Sequence, residues 1–240
     1  MKALRTLMPG KINSPCSATM LTSLSQVPLE DNCVLVFDLD DTLYSERDFL
    51  RSGFREIARS IDPNRIDEMQ SFLELSWVNG NQDPISSLLD RVESGCKKAD
   101  LLKIYREHVP DIRLKNETYE FIKAAEKSQR SLGILTDGRS ITQRNKLLAL
   151  GISKSIDEVV ISEEIGFSKP AEESYRHFHK VFPHRTFAYV GDNLAKDFVT
   201  PNRLGWVTVG MLDRGENIHA QDIDRFPGEY HPQYWISNIA

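Results

Sequence analysis

Five short apolar runs recur along the chain: Cys33–Phe37, Leu132–Leu135, Val159–Ile161, Phe187–Val190 and Val207–Val209. Each is continuous rather than alternating and partly β-branched, the pattern of strands buried on both faces. Between most of them, residues recur at helical spacing: Tyr119, Ile122 and Ala125; Ile141, Asn145 and Leu148; Tyr175, Phe178 and Val181. Strand alternating with helix predicts an α/β fold, a parallel sheet with helices on both faces.

Residues 44 to 113 break the alternation. Leu50, Phe54, Ile57, Ala58 and Ile61 fall at helical spacing, as do Ile66, Met69 and Leu73, then Ile85, Leu88, Leu89 and Val92, then Leu101, Leu102 and Tyr105. Asp62-Pro63, Asn79-Gly80, Asp83-Pro84 and Ser94-Gly95 punctuate them. This stretch is expected to be an all-helical insert after the first strand. Residues 1–32 are rich in Ser and Thr and have neither an aromatic residue nor clear periodicity. They are expected to be disordered or dispensable, with a targeting peptide or a start at Met20 as alternatives. The core is then 33–43 with 114–240.

Composition narrows the classes. The 240 residues are 40% hydrophobic and 27% charged, with a mean hydropathy of −0.39. No apolar stretch approaches the roughly 18 residues of a spanning helix, so no membrane association is expected. The net charge of −5 and the absence of a Lys/Arg cluster argue against nucleic acid. Three of the 30 basic residues precede Glu30 and none of the 35 acidic ones does, so the rest is more acidic than the total implies. Cys16, Cys33 and Cys96 are odd in number and widely spaced, which points to a reducing, cytoplasmic setting. Oligomeric state has no signature here.

The chemistry gathers at the strand ends. Asp38-Leu-Asp40-Asp41-Thr42 follows the first apolar run directly. Residues at the carboxyl end of a parallel strand point into the crevice where such sheets bind ligands. Two carboxylates separated by one residue can share a reaction centre and a hard cation, although an isolated Asp-x-Asp is also a good turn and helix cap. The second run ends in Thr136-Asp137-Gly138, a hydroxyl and backbone N–H groups suited to a phosphate oxygen. The third leads to Lys169-Pro170, and the fourth to Gly191-Asp192-Asn193 with Asp197 five residues past Asp192. Each signal is weak alone; together, in order, they supply acid, hydroxyl, ammonium and acid.

In these four motifs the sequence resembles the haloacid dehalogenase-like hydrolase superfamily over residues 33 to 212. The resemblance implies a Rossmann-like core and identifies 44–113 as a helical cap. It implies an Mg²⁺-dependent phosphatase acting on a small phosphate ester of the sugar, nonulosonate or nucleotide class. Asp38 is then the nucleophile and Asp40 the general acid and base; Thr136, Asp137, Gly138 and Lys169 form the phosphate site. Asp38, Asp40 (through its carbonyl), Asp192 and Asp197 are the implied Mg²⁺ site, with Asp197 binding directly or from behind. Relatives that dehalogenate lack the second Asp, so dehalogenation is disfavoured. A phosphomutase with the same aspartyl-phosphate chemistry and a catalytically silent binding module are the alternatives.

Position 137 departs from the pattern, since many relatives carry Asn there. The extra carboxylate either repels substrate or binds a hydroxyl. Arg47, Arg51, Arg139 and Asn193, with Trp77, Asn79 and Gln82, are candidate substrate contacts, with a solvated helix face for Arg47 and Arg51 and a core position for Trp77 as the alternatives. His177, His179 and His184 read as a surface face.

Overall fold

A computed structural model describes residues 18–240 of the protein. Among them, seven strands form one parallel sheet: β1 (Thr19–Ser23), β2 (Val34–Phe37), β3 (Leu132–Thr136), β4 (Glu158–Ile161), β5 (Phe187–Gly191), β6 (Val207–Met211) and β7 (Tyr234–Asn238). Their order across the sheet is β1-β7-β6-β5-β2-β3-β4. From β2 the chain steps outward to β3 and β4, then returns past β2 to β5 and continues the other way. The direction of winding therefore reverses between β2 and β5, and the crevice beyond the carboxyl ends of those strands is where such sheets bind ligands. The registers Phe37↔Ile134 and Phe37↔Val190 set Asp38 beside the ends of both neighbouring strands.

Two apolar layers cover the sheet. Leu35, Phe37, Ile122, Ile134, Leu147 and Val190 belong to one; Val34, Val36, Leu135, Tyr175, Phe178 and Trp206 belong to the other. The covering helices are α5 (Asn116–Lys127), α6 (Ser140–Ala149), α7 (Ser162–Ile165), α8 (Glu172–Val181) and α9 (Val199–Arg203). Between β2 and β3 lie α1 (Glu46–Ile61), α2 (Ile66–Val78), α3 (Pro84–Leu89) and α4 (Lys98–Glu107). These four helices bury a cluster of their own, around Phe54, Ile57, Met69, Leu73, Leu88 and Leu101. Asp83 caps α3 by accepting from the Ser86 N–H, with Pro84 in its first turn.

Two expectations are corrected. Residues 18–32, expected to be disordered or dispensable, contribute β1, which pairs with β7 from Thr19↔Tyr234 to Ser23↔Asn238, and they bury Leu24 and Val27. Residues 1–17, including Cys16, lie outside the described residues. The second correction concerns α6. Its expected apolar stripe faces solvent, with Ile141 48% and Leu148 63% exposed, while Gln143 and Lys146 are 3% exposed. Burying a Lys requires a partner, and that partner belongs to the site.

Candidate active site

Asp38 leaves β2 with its N–H bonded to the Val190 carbonyl, so its carboxylate starts from a fixed backbone. It is 5% exposed. The Lys169 ammonium, fully buried, lies 2.8 Å from Asp38 Oδ1, 2.7 Å from Asp197 Oδ1 and 3.0 Å from the Tyr189 hydroxyl. Burial drives the Asp38 carboxyl up to about 6, against the pull of Lys169 and with the help of the Asp197 charge.

Asp197 approaches because residue 191 is glycine. A Cβ there would lie 2.6 Å from Asp197 Oδ2. That oxygen accepts from the N–H groups of Asp192 (3.2 Å) and Asn193 (2.8 Å). With Oδ1 on Lys169 and Oδ2 on two amides, Asp197 braces the loop that carries Asp192. Asp192 Oδ2 accepts from Asn217 Nδ2 at 3.0 Å, and Gln221 Nε2 donates to the Asp192 carbonyl.

Carboxylate oxygens of Asp38, Asp192 and Asp197 lie within 4.8 Å of one another. Burial, then Asp197 and Asp38, push the Asp192 carboxyl up to about 9. Three hard oxygen donors converging in a buried space where protein groups leave excess negative charge fit Mg²⁺. Asp38 and Asp192 are the residues with oxygens to give; Asp197 stands behind them. The Asp40 carboxylate is not in this group.

Asp40 points to the other side of the pocket. Lys146 Nζ lies 2.7 and 2.9 Å from its two oxygens, Gln143 Nε2 donates to Oδ2 at 3.3 Å, and the Tyr44 hydroxyl donates to Oδ1. Burial alone would raise this carboxyl; Lys146 and the three hydrogen bonds outweigh it and hold Asp40 below the ordinary range. The Phe49 ring of α1 sits 4.3 Å from Lys146 Nζ, so the helical insert supports this arrangement. Asp41 takes a left-handed conformation (φ 52°) and accepts from the N–H groups of Glu46 and Ile218, bracing the start of α1 against the segment after β6.

Between these two sides an open pocket is lined by Asp38, Asp40, Asp41, Glu46, Thr136, Asp137, Asp192, Asn193, Lys196 and His219. The Thr136 hydroxyl is buried and has no hydrogen-bond partner. Such an orphan is costly unless a ligand completes it. Asp137 is occupied on both oxygens, by the Lys169 N–H at 3.0 Å and by Lys196 Nζ at 3.1 Å. The Gly138 N–H, expected to be free for phosphate, donates instead to Ser162 Oγ at 2.9 Å.

Asn193 lines the pocket, with its Oδ1 taken by the Ala195 N–H. Arg139, 55% exposed, faces Glu163, and Arg51 pairs with Asp48 and Glu74. Arg47, Trp77, Asn79 and Gln82 are not among the pocket residues. His179 is more than a surface residue, since it accepts from Trp206 Nε1 and packs on Phe187. Glu46, Gln143, Lys146, Lys196, Asn217 and His219 escaped the sequence reading. The pairing of Gln143 with Lys146 at i,i+3 puts both on one helix face, but nothing in the sequence says that this face is inward.

Comparison with known proteins places the chain. A sequence model of the haloacid dehalogenase-like hydrolase family matches residues 35–211. A glyceraldehyde 3-phosphate phosphatase of Methanocaldococcus jannaschii is 29% identical over 191 residues, 74% of this chain and 84% of that protein. A glyceraldehyde 3-phosphate phosphatase of Methanopyrus kandleri is 30% identical over 209 residues, 76% of this chain and 84% of that protein. Among solved structures, the HAD-hydrolase YfnB of Bacillus subtilis, bound to magnesium, superposes with a TM-score of 0.61 at 21% identity, covering 87% of this chain and 96% of its own. With the family match spanning most of the sheet and the insert, the chain belongs to the haloacid dehalogenase-like hydrolases.

Proposed function

We propose that this hydrolase is a phosphatase that cleaves a small phosphomonoester through an aspartyl-phosphate on Asp38. The observation that carries the proposal is the pocket floor, where the Asp38 carboxylate lies beside the fully buried Lys169 ammonium and the pocket wall holds the unpartnered Thr136 hydroxyl. A carboxylate nucleophile, a cation and a spare hydroxyl are the groups a phosphoryl centre needs. The phosphatase relatives support a small phosphate ester as the substrate class.

In the first step the Asp38 carboxylate attacks phosphorus, the bond to the ester oxygen breaks, and Asp40 delivers the proton to that oxygen. In the second, Asp40 takes a proton from the water that displaces Asp38 and releases inorganic phosphate. Lys146 keeps Asp40 ionised at rest, the form the second step uses; a phosphate dianion beside it favours the protonated form that the first step uses. Asp38 and Asp192 would hold Mg²⁺, which would supply charge neutralisation for the dianion. The helices of 44–113 act as a cap that keeps bulk water from the intermediate. With Cys33 and Cys96 free, the enzyme suits a reducing cytoplasm.

The test is a phosphate-release screen with Mg²⁺ over sugar phosphates, nucleotides and three-carbon phosphate esters. The proposal expects free phosphate stoichiometric with ester loss. Isomerised ester without free phosphate would establish a mutase, and no turnover of any ester would defeat the phosphatase reading.

A further inference from the structure

Asp137 and Lys196 are unexplained by the roles assigned so far. They face each other across 3.1 Å at the pocket wall, with side chains 20% and 30% exposed. The surroundings are strongly anionic: Asp38, Asp40, Asp41, Glu46, Asp137 and Asp192 all contribute to the lining. The two other lysines near the site are committed behind it, Lys169 to Asp38 and Asp197 and Lys146 to Asp40. Among the described residues, Lys196 is the one Lys or Arg that lines the pocket itself.

Its backbone is fixed, and its ammonium lies against Asp137 with the side chain partly exposed. The Lys196 carbonyl accepts from the Tyr175 hydroxyl at 3.2 Å, and its N–H donates to the Asn193 carbonyl. Asp137 is equally fixed, since its Oδ1 accepts the Lys169 N–H. The Lys196 charge also reaches the nucleophile, easing the Asp38 carboxyl downward.

We propose that Lys196 is a second phosphate-binding ammonium, that Asp137 aims it, and that the two are matched: the carboxylate is tolerated beside a phosphate dianion because Lys196 neutralises it. The pair resolves the two readings of Asp137. Lys196 offsets the repulsion between Asp137 and the substrate, and each Asp137 oxygen already accepts a hydrogen bond, from the Lys169 N–H and from Lys196 Nζ. Lys196 is shared between Asp137 and a phosphate oxygen, a bridging cation between two anions. The inference rests on the phosphatase reading and deepens it.

The experiment compares Lys196→Ala, Lys196→Arg and the double variant Asp137→Asn/Lys196→Ala with the full chain at saturating Mg²⁺. The probes are p-nitrophenyl phosphate as substrate and inorganic phosphate as competitive inhibitor. Lys196→Ala leaves Asp137 unbalanced and should raise both KM and the phosphate inhibition constant about tenfold or more, with kcat changed less than about threefold. Lys196→Arg should restore most of the loss. Removing the unbalanced charge in the double variant should recover KM severalfold relative to Lys196→Ala, an improvement that a purely structural role would not produce. A KM within about twofold of the parent in Lys196→Ala, or no recovery in the double variant, would overturn the proposal. Calorimetric binding of inorganic phosphate separates the two readings. Phosphate binding that weakens in Lys196→Ala, in a parent that hydrolyses no ester, would uphold the pair and defeat the phosphatase; hydrolysis with KM indifferent to Lys196 would do the reverse.

Discussion

Asp38 and Asp40 leave the same strand two residues apart, yet the floor of the pocket and its insert-facing wall treat them in opposite ways. On the floor, Lys169 is divided between Asp38 and Asp197, and burial wins, so the Asp38 carboxyl rises to about 6. On the wall, Lys146 gives both its contacts to Asp40, joined by Gln143 and Tyr44, and burial loses. The floor is short of positive charge, which is where a divalent cation belongs. On the wall, Lys146 answers the Asp40 charge, while Glu46 beside it is pushed up to about 8 by burial and then by Asp40. In the proposed mechanism, identical side chains thus take a metal-binding role and a proton-handling role from the way each lysine is shared.

The largest effect should come from the floor. Asp38→Asn removes the nucleophile and should cut phosphate release by about a thousandfold or more, measured on any ester the parent hydrolyses. Full activity in that variant would sink the mechanism. On the wall, Asp40→Asn should lower kcat/KM for an alkyl phosphate by about 10² to 10⁴-fold and for p-nitrophenyl phosphate by much less, because a good leaving group needs no proton. An equal loss on both esters would deny Asp40 the proton. Lys146→Met should copy that leaving-group pattern more weakly, by about ten- to a hundredfold on the alkyl ester, because it displaces Asp40 without removing it.

The two regions should also differ in their response to pH. In the absence of metal, Asp192, raised to about 9, contributes stability that is full below the ordinary carboxylate value and is lost as pH rises through about 9. Asp40, held low, contributes stability that is present above the ordinary value and is lost as pH falls through its lowered one. The melting temperature of chelated protein should therefore fall between pH 6 and 9, through Asp192 and through Glu46, which burial raises to about 8. Mg²⁺ should reverse the Asp192 part, most strongly at pH 9. A flat profile that ignores Mg²⁺ would remove the contrast between floor and wall. The smallest effect belongs outside both regions: Arg139→Ala should change kcat/KM less than about threefold and stability by less than about 0.5 kcal/mol, since the side chain is exposed opposite Glu163.

Central strands were legible because burial on both faces writes continuous apolar runs, as in Val34–Phe37 and Phe187–Val190. The outer strands β1 and β7 were not: in Thr19–Ser23 polar residues leave only Met20-Leu21 apolar, and the short Tyr234–Ile236 run of β7 gives way at once to Ser237 and Asn238. Asp38, Thr136, Lys169 and Asp192 stood out because each follows or ends near a strand with its chemistry in sequence order. The supporting set did not. Lys146 and Gln143 look like solvated residues until Asp40 is placed against their helix, and Ile141 and Leu148 advertise the wrong face. Lys196 sat inside a recognised motif but in a position with no assigned part. Patterns show which residues carry charge; partners, which come from distant segments, decide what the charge does.

The pairing of β1 with β7 fixes an order of events during synthesis. Thr19–Ser23 leaves the ribosome before every other strand of the sheet described, and its hydrogen-bonding partner, Tyr234–Asn238, follows only after β2 to β6 have been made. Throughout translation that strand must wait with its amides unpaired, next to a core that already offers apolar edges to neighbouring chains. Its threonines and serine suit the wait, being able to extend in the finished sheet while remaining solvated before it exists. A more apolar strand there would form the same ladder in the completed enzyme while raising the aggregation risk of the nascent chain, so the polarity that hid β1 in the sequence is compatible with the wait.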